Sequence, residues 1–267
     1  MTDPISIPPA AGARIADTAG GGADKAFTST LSVDEFVVLQ QAGFEPLGVA
    51  VGTSIYHVGI QVGRWNQNQE LTVLTQAMYE ARTAAINRMT QEAQALNADG
   101  VTGVNLELRM YAWGQEVLEF SATGTAVRYS AQPNSLRAPS GSPFTSDLTA
   151  REFYLLHQAG FVPVSMVLGT CVYHIAHQSI LKSLGQVGRN QEMDLFTQGI
   201  YEARELALGR MQAEADACQA RGVVGVDLQI SNHIWGEHAT EFFAIGTAIR
   251  PHGQATSMTA PALVFDV

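Results

Sequence analysis

Histidines are concentrated in the second half of the chain, where six of the seven lie. Imidazole and carboxylate groups are ligands for zinc and other divalent metals, so their spacing is the first thing to consider. One pair follows a predicted strand and another flanks a predicted hairpin turn, and together with one carboxylate they give a candidate metal site of His174, His177, His233, Glu237 and His238. The alternative is that these are surface imidazoles, since their spacing matches no known ligand pattern. His57 and His174 both follow a tyrosine, which favours a structural hydrogen bond over a ligand role.

A second candidate site is an anion-binding segment that precedes each long helix. A Gly-Arg pair followed by an asparagine would bring free backbone amides, the positive end of the helix dipole and a guanidinium together. The residues are Gly63, Arg64 and Asn68 in the first half, and Gly188, Arg189 and Asn190 in the second. Both asparagines are predicted N-caps, and Glu70 and Glu192 would favour the helix dipole. The alternative is a turn with a solvated arginine, or an arginine that pairs across a subunit interface.

No arrangement typical of catalysis is identifiable in the sequence. There is no Ser-His-Asp, Cys-His or paired-carboxylate pattern to which a nucleophile or general acid could be assigned. Arg88 and Glu92, like Arg210 and Glu214, stand four residues apart on a predicted helix. This spacing is typical of pairing on a helix surface, or of an interface contact if the side chains are buried.

These residues lie in a chain that contains an internal sequence repeat. Tyr79-Glu80-Ala81-Arg82 returns as Tyr201-Glu202-Ala203-Arg204. Residues 36–57 and 153–174 share 11 of 22 positions at a shift of 117, and residues 70–128 and 192–250 share 28 of 59 at a shift of 122. Because an internal repeat decides the architecture, the chain is predicted to contain two units of roughly 100 residues.

Each unit is predicted to contain a short helix, a strand, a long helix and two further strands. Ser32 with Glu35 and Thr149 with Glu152 have the spacing of a capping box at the start of the short helix. Glycines are predicted to end the helices, with Gly43 and Gly160 after the short ones and Gly100 and Gly222 after the long ones. The long helices carry apolar residues every three or four positions, which predicts one face on a core.

The last two strands of each unit alternate between apolar and polar residues, and Trp113-Gly114 and Trp235-Gly236 mark predicted hairpin turns. One helix on a three-stranded sheet covers only one sheet face. The second face of the first unit would carry Asn105, Glu107 and Arg109, which suits either water or another sheet. The predicted organisation is a flexible arm at 1–30, units at 31–128 and 148–250, a linker at 129–147 and a tail at 251–267.

Composition limits the classes of function. Hydrophobic residues are 46% and charged residues 15%, which excludes wholesale disorder and favours association of the units and of whole chains. A net charge of -10 disfavours binding to nucleic acid and anionic membranes. No run of about 18 apolar residues exists to span a membrane. Cys171 and Cys218 lack Cys-x-x-Cys spacing and are interpreted as reduced thiols, which predicts a cytoplasmic protein.

The order of elements, with Glu-Ala-Arg, Arg-Met and Glu-Ala on the long helix, then Gly-Val-x-Gly-Val and Gly-Thr-Ala-Val/Ile-Arg, resembles the YbjQ family. The likeness covers roughly residues 31–128 and 148–250. It implies α+β units with a dodecin-like βαββ fold that assemble into rings, typically of five. The family's Gly-Gly-Arg loop is similar to Val62-Gly63-Arg64 and Val187-Gly188-Arg189, with valine in place of one glycine. The family also carries a heavy-metal-binding label, without a ligand set.

Three functions follow as hypotheses. The first is a non-enzymatic, self-assembling protein that forms ring-like or larger homo-oligomers and acts as a scaffold or binds a small ligand. The second is a heavy-metal-binding or metal-buffering protein, in which a divalent metal would be the cofactor. The third is an enzyme of unknown chemistry, because a fold does not by itself imply a function.

Overall fold

The architecture is that of a computed structural model, which describes residues 7–20, 26–57, 67–110, 117–175, 194–232 and 239–253. Unit 1 contains α2 (Val33–Gln41), β1 (Phe44–His57), α3 (Thr72–Ala95), β3 (Gly100–Met110) and β4 (Val117–Tyr129). Unit 2 contains α4 (Ala150–Gln158), β6 (Phe161–His174), α5 (Asp194–Ala217), β7 (Gly222–Asn232) and β8 (Ala239–Pro251). The remaining elements are α1 (Pro9–Gly20), β2 (Gln69–Glu70) and β5 (Phe144–Thr145). The α+β class and the helix and strand order within each unit are therefore as predicted.

Two four-stranded sheets form the framework. Sheet 1 has the strand order β1-β4-β3-β5, and sheet 2 has the order β2-β6-β8-β7. In each sheet the three long strands are antiparallel, as predicted for one unit, and a two-residue strand is added at one edge. The added strand β2 comes from unit 1 but joins the sheet of unit 2. The sheets are therefore larger than the predicted three strands, and one of them combines both units.

The short helices begin and end at the predicted residues. Ser32 and Thr149 are N-caps, and each forms a capping box with the glutamate three residues later. Gly43 and Gly160 follow the helices with φ of 81° and 79°, a conformation that a residue with a Cβ rarely adopts. The short helices pack on each other around Phe44, Phe144 and Phe153 in a separate apolar cluster.

The long helices end differently from the prediction. The left-handed residue after α3 is Asn97 and the one after α5 is Gln219, with φ of 57° and 59°. Gly100 and Gly222 instead begin β3 and β7. Gly100 is needed there because a Cβ would lie 2.3 Å from the ring of Phe144 in β5. The predicted role of these glycines as helix C-caps was wrong, since the left-handed residue that ends each helix lies three residues earlier.

The two sheets differ in how they are covered. We call the face of a sheet that touches the long helix of its own unit the first face, and the opposite one the second face. Gly52 and Gly169 lie on the first faces, where a Cβ would come within 1.9 Å of Ala85 O and 2.0 Å of Ala207 O. Helix α3 also packs on the second face of sheet 2, so β6 and β8 are buried between α3 and α5.

The second face of sheet 1 has no such cover from the described residues. Its β3 positions Asn105, Glu107 and Arg109 are exposed, as predicted. Helix α1 lies within the segment that was predicted to be an arm, and its Ile15 is buried beside α3. The predicted turns at Trp113-Gly114 and Trp235-Gly236 lie outside the described residues. Within the described ranges, no helix combines the length and the apolar character that a membrane crossing requires.

Candidate functional site

Of the residues predicted to bind a ligand, only two fall within the described parts of the chain, Asn68 and His174. The others lie outside them, namely Gly63, Arg64, His177, Gly188, Arg189, Asn190, His233, Glu237 and His238. The proposed anion segments and the proposed metal site therefore remain predictions. Among the residues that the structure describes, no three or more His, Cys, Asp or Glu side chains are grouped in a way that could hold a metal ion.

Asn68 does not cap the long helix. Helix α3 begins at Thr72 after Leu71, which makes no side-chain cap hydrogen bond. Residues 69 and 70 are extended instead, because they pair with His174 and Tyr173 at the edge of β6. The side chain of Asn68 lies against α5, with its Nδ2 3.0 Å from the place of a Cβ on Gly199. The N-cap prediction for Asn68 was wrong, since strand pairing with unit 2 takes precedence over capping.

His174 is the last residue of β6 and is only 5% exposed. It pairs through the backbone with Gln69 on one side and Ala239 on the other. The side chain that was considered as a ligand therefore lies at the boundary between the two units. We call that boundary the seam.

A buried ion pair lies at the centre of the seam. Arg82 Nη1 in α3 lies 2.5 Å from Glu241 Oε1 in β8, and both side chains are almost fully buried. Thr170 donates a hydrogen bond of 2.6 Å to the same carboxylate oxygen. The guanidinium also stacks over the ring of Phe243 at 3.9 Å. Charges buried this deeply are costly unless they are paired, so the pair fixes the register of α3 on sheet 2.

Backbone hydrogen bonds join the units beside this pair. Leu71 N–H donates to Val172 O at 2.8 Å, and Val172 N–H donates to Thr75 Oγ1 at 2.9 Å. The start of α3 thus satisfies the edge of β6, which would otherwise expose unpaired backbone groups. Glu70 forms an ion pair with Arg210 of α5, 2.8 Å apart. Glu70 was predicted to interact with the dipole of its own helix. It instead binds unit 2 through Arg210.

An arginine and a glutamate on each long helix bind the neighbouring edge strand. In unit 2, Arg210 Nη1 donates to Thr170 O at 2.7 Å, and Leu168 N–H donates to Glu214 Oε2 at 2.8 Å. Burial raises the pKa of the Glu214 carboxyl, and the bond from Leu168 partly opposes that shift. Arg210 and Glu214 therefore do not pair with each other along the helix. They instead form hydrogen bonds with backbone groups of β6.

The same arrangement recurs in unit 1. Arg88 Nη1 donates to Thr53 O, and Val51 N–H donates to Glu92 Oε2 at 2.8 Å. The third partner differs, because Glu92 also pairs at 2.5 Å with Arg14 of α1. The edge of β1 is thus bound by α1 and α3, whereas the edge of β6 is bound by the segment that leads into α3 and by α5.

The seam contains no activated nucleophile among the described residues. Burial raises the pKa of the Cys171 thiol to about 12, so the thiol stays protonated near neutral pH. Burial and a hydrogen bond to Glu202 raise the pKa of Tyr173. Tyr56 makes the equivalent bond to Glu80, which raises its pKa as well. These groups are held in their neutral forms near neutral pH.

Clefts lie at both edge strands. One, of about 560 Å³, is lined by Glu70, Thr75, Tyr79, Thr170, Arg210 and Glu214. The other, of about 630 Å³, is lined by Ile7, Arg14, Val51, Ile55, Arg88 and Glu92. The repeat relates the two clefts through Thr170 and Thr53 and through the helix arginine and glutamate. The first cleft is bounded by the opening turns of α3, and the second by α1.

Arg82 and Glu241 were missed as functional residues by sequence reasoning. A signal was present, since the four-residue motif that includes Arg82 returns at Arg204, and Glu241 is matched by Glu119. Periodicity assigned these positions to a helix and a strand but did not show that they meet. Their separation of 159 residues is closed only by the packing of unit 1 on unit 2.

The fold and the seam define a tandem α+β protein whose two similar units interlock through a helix shared between two sheets. The chain belongs to the YbjQ family, whose model is described as "Putative heavy-metal-binding" and matches residues 67–130 and 153–252. The two matched regions confirm the predicted family and its two copies. The family match does not test the dodecin-like βαββ fold predicted for each α+β unit.

Relatives match both the whole chain and single units. A protein of Mycobacterium tuberculosis named "Encapsulin nanocompartment protein Rv1762c" is 49% identical over 260 residues, which cover 97% of this chain and 97% of that protein. A UPF0145 protein of Pseudomonas fluorescens is 44% identical over 55 residues, covering 21% of this chain and 52% of that protein. A UPF0145 protein of Pseudothermotoga lettingae is 32% identical over 97 residues, covering 33% of this chain and 90% of that protein.

Proposed function

We propose that this chain is a self-assembling structural protein whose copies form a high-order homo-oligomer, a scaffold or enclosing shell that carries out no reaction of its own. The observation that carries the proposal is the unequal covering of two similar units. In unit 2 both faces of β6 and β8 are buried, whereas in unit 1 the second face of β1 and β3 keeps exposed residues. That face carries exposed Ile55, and the opening turns of α5 carry exposed Ile200 and Tyr201. Apolar surface of this kind marks interaction sites.

The relative from Mycobacterium tuberculosis supports the same function. It is named as a nanocompartment protein, and the similarity extends over 97% of both chains. Because both units and the connection between them are shared, we extend an assembling role to this chain. The neutral, buried Cys171 and Tyr173 support a structural role over a catalytic one.

The finer features of the assembly follow from the family resemblance and are part of the proposal. We propose dodecin-like units and a ring of five chains, alone or as part of a larger shell. Because each chain contributes two units, a closed ring of this kind would contain two sets of non-equivalent positions. The free cysteines Cys171 and Cys218 support a cytoplasmic location, where thiols stay reduced.

A small ligand is proposed at the boundaries between the subunits of the assembly. The predicted anion segments around Arg64 and Arg189 precede the long helices, and Arg64→Ala and Arg189→Ala should change phosphate binding or particle size. If both variants keep particle size, thermal stability and phosphate binding unchanged, the segments are turns only. Binding of a divalent metal at the predicted histidine site is the alternative function, and its experiment is described below.

The experiment that tests the assembly is a mass measurement on the native protein. Light scattering at micromolar concentration and physiological salt should give a mass many times the 28.6 kDa of one chain. Electron microscopy of the same sample should show discrete particles, and their symmetry tests the ring of five. A mass near 28.6 kDa under these conditions would remove the proposed function. Screening for hydrolase and transferase activity on the same particles tests the absence of catalysis.

A further inference from the structure

The seam brings the opening turns of α3 onto unit 2. These turns carry Leu74, Thr75, Met78 and Arg82, and all four are buried. Met78 is 0% exposed. The four residues pack on the second face of sheet 2, where Leu168 and the other apolar residues of that face belong to the same core. Arg82 also lies over the ring of Phe120 in sheet 1, so the opening turns of α3 contact the sheets of both units.

The corresponding turns of α5 are more exposed. A shift of 122 residues relates Met78 to Ile200, which is 37% exposed. Tyr201 beside it is 55% exposed, and Arg204, which corresponds to Arg82, is half-buried. Farther along, α5 is buried on its own sheet in the same way as α3, through Ala203, Ala207 and Met211. The two helices therefore differ in what covers their opening turns.

The second face of sheet 1 shows the complementary difference. A shift of 117 relates Ile55 to Val172, which are 61% and 0% exposed. Val49 and Val51 are half-buried, whereas their counterparts Met166 and Leu168 are buried. These residues alternate with Ala50 and Gly52, which face α3, so they share the second face. Sheet 1 thus presents the surface that sheet 2 buries under α3.

The polar centre of the seam is also present twice. Arg82, Thr170 and Glu241 meet within the chain. Arg204, Thr53 and Glu119 are the same three residue types at the corresponding positions, and all three are half-buried. Arg204 and Glu119 carry opposite charges on the two uncovered surfaces. A second copy would bring them together in the arrangement that the chain already uses once.

The two polar centres differ in the aromatic residue that lies beside the arginine. Phe243, over which Arg82 stacks, corresponds to Ser121 in sheet 1. Arg204 has an aromatic partner on its own helix instead, because its guanidinium stacks over Tyr201 at 4.3 Å. Tyr201 can therefore supply the ring that sheet 1 lacks. The sheet side is smaller than in the seam at this position, whereas the helix side keeps the same tyrosine and arginine as α3.

The edge of sheet 1 is bound by α1 at the place where the edge of sheet 2 is bound by the start of α3. At sheet 2, the cleft beside Thr170 and Arg210 is bounded by Thr72, Thr75 and Tyr79 of α3. At sheet 1, the cleft beside Thr53 and Arg88 is bounded by α1. Helix α1 binds the edge of β1 through Arg14, which donates to Val49 O at 2.9 Å. The incoming helix would lie alongside α1 on the second face.

We propose that the opening turns of α5, with Ile200, Tyr201 and Arg204, bind the second face of sheet 1 in another copy of this chain, and that this contact repeats the seam between chains. The inference rests on the proposed self-assembly and names the surfaces that produce it. Each copy carries one helix surface and one sheet surface, so the contact is head-to-tail. Such a contact closes into a ring or continues from chain to chain.

The test uses one blocked surface at a time. Ile200→Lys places a charge on the α5 surface, and Ile55→Lys places one on the sheet 1 surface. Both residues are exposed within the chain, so each variant should keep the wild-type circular dichroism spectrum. We expect each variant alone to lose the wild-type particle mass in light scattering. Val33→Lys, at an 84% exposed position on α2, is the matched control and should assemble as the wild type does.

Mixing the variants gives the sharper result. An equal mixture of Ile55→Lys and Ile200→Lys contains one intact pair of surfaces for every two chains, so it should form complexes of greater mass than either variant alone. The control mixes Ile55→Lys with the double variant that carries both Ile55→Lys and Ile200→Lys. This mixture lacks an intact sheet surface and should show no gain in mass. If both single variants reach the wild-type mass, or if mixing gives no gain, the assignment is overturned while self-assembly stands. A monomeric wild-type protein would overturn both.

Discussion

Arg82 of α3 and Glu241 of β8 form a buried ion pair across the seam, with Nη1 and Oε1 2.5 Å apart. The two residues belong to different copies of the repeat, so the pair shows within one chain how one unit binds another. Their counterparts Arg204 and Glu119 lie on the two surfaces for which we propose contact between chains. Stability of the chain and assembly of many chains are thus expected to depend on the same chemistry.

Removal of one partner of the seam ion pair should destabilise the fold strongly. Arg82→Met would leave Glu241 buried without its counter-charge, at a cost of about 3–5 kcal/mol in the free energy of unfolding. The double variant with Glu241→Leu should recover much of that loss, since no uncompensated charge remains. Denaturant unfolding of the two single variants and the double variant measures the coupling. Arg109→Ala, which breaks an exposed pair with Glu107, is the control and should cost less than about 1 kcal/mol.

Addition of a methyl group at the helix-sheet contacts should be poorly tolerated. A Cβ at Gly52 would lie 1.9 Å from Ala85 O and 2.4 Å from Met89 N, which are helix backbone atoms that cannot rotate away. We expect Gly52→Ala to lower the free energy of unfolding by about 3 kcal/mol or more. Gly209→Ala tests the specificity of this effect, because a Cβ there meets nothing within 4 Å. It should stabilise α5 by about 1 kcal/mol, and equal effects of the two changes would contradict the packing.

The pKa of Glu214 makes stability depend on pH. Burial raises its pKa above the usual 4.5, so the folded state keeps the proton at pH values where the unfolded state has lost it. Stability from this group is complete below pH 4.5 and declines as pH rises through the raised pKa. Glu214→Gln removes the titration and retains an acceptor for Leu168 N–H, so its unfolding midpoint should decline less than that of the wild type as pH rises above 4.5.

Glu202 provides the opposite control for this experiment. A hydrogen bond from Tyr173 lowers its pKa, so its contribution to stability is present above the unfolded value of 4.5 and is lost as pH falls. Glu202→Gln should therefore change the pH dependence in the other direction, with a smaller amplitude because the carboxylate is exposed. If both substitutions shift the profile in the same direction, the pKa of Glu214 is not raised.

Relief of backbone strain after α5 should stabilise the protein. Gln219 has φ of 59°, a left-handed conformation that costs a residue with a side chain about 1–2 kcal/mol. Gln219→Gly should recover about 1 kcal/mol in thermal unfolding, since glycine adopts this conformation freely. Gln212→Gly, within α5, should instead cost about 1 kcal/mol. A loss of stability from Gln219→Gly would show that its side chain matters more than its backbone.

The metal-binding alternative predicts calorimetric binding of zinc, nickel or copper that depends on the histidines of unit 2. The double variant His174→Ala with His238→Ala should lose that binding, and lower pH should weaken it by protonating imidazole. Because His174 is buried at the seam, its loss can also change the fold. His177→Ala with His238→Ala avoids that problem and should lose binding as well. Equal weak binding by the wild type and both variants would remove the metal site and leave the fold unaffected.

The sequence by itself determined the elements that depend on nearby residues. The capping boxes at Ser32 and Thr149 and the glycine turns at Gly43 and Gly160 were predicted correctly because their hydrogen bonds join residues a few positions apart. The repeat and the family were also readable, since both copies retain the side chains that pack each long helix on its own sheet. These features follow from periodicity and from backbone conformation.

Only the tertiary structure decided how the two units bind each other. Asn68 and Glu70 were predicted to serve the start of α3, yet the chain there pairs with β6, because an edge strand with unpaired backbone groups is satisfied by any extended segment that reaches it. The pairing of Arg82 with Glu241 spans 159 residues and depends on which sheet face α3 covers. Local patterns specify that a surface is apolar or charged. Its partner is specified by packing between distant segments, which no single stretch of sequence contains.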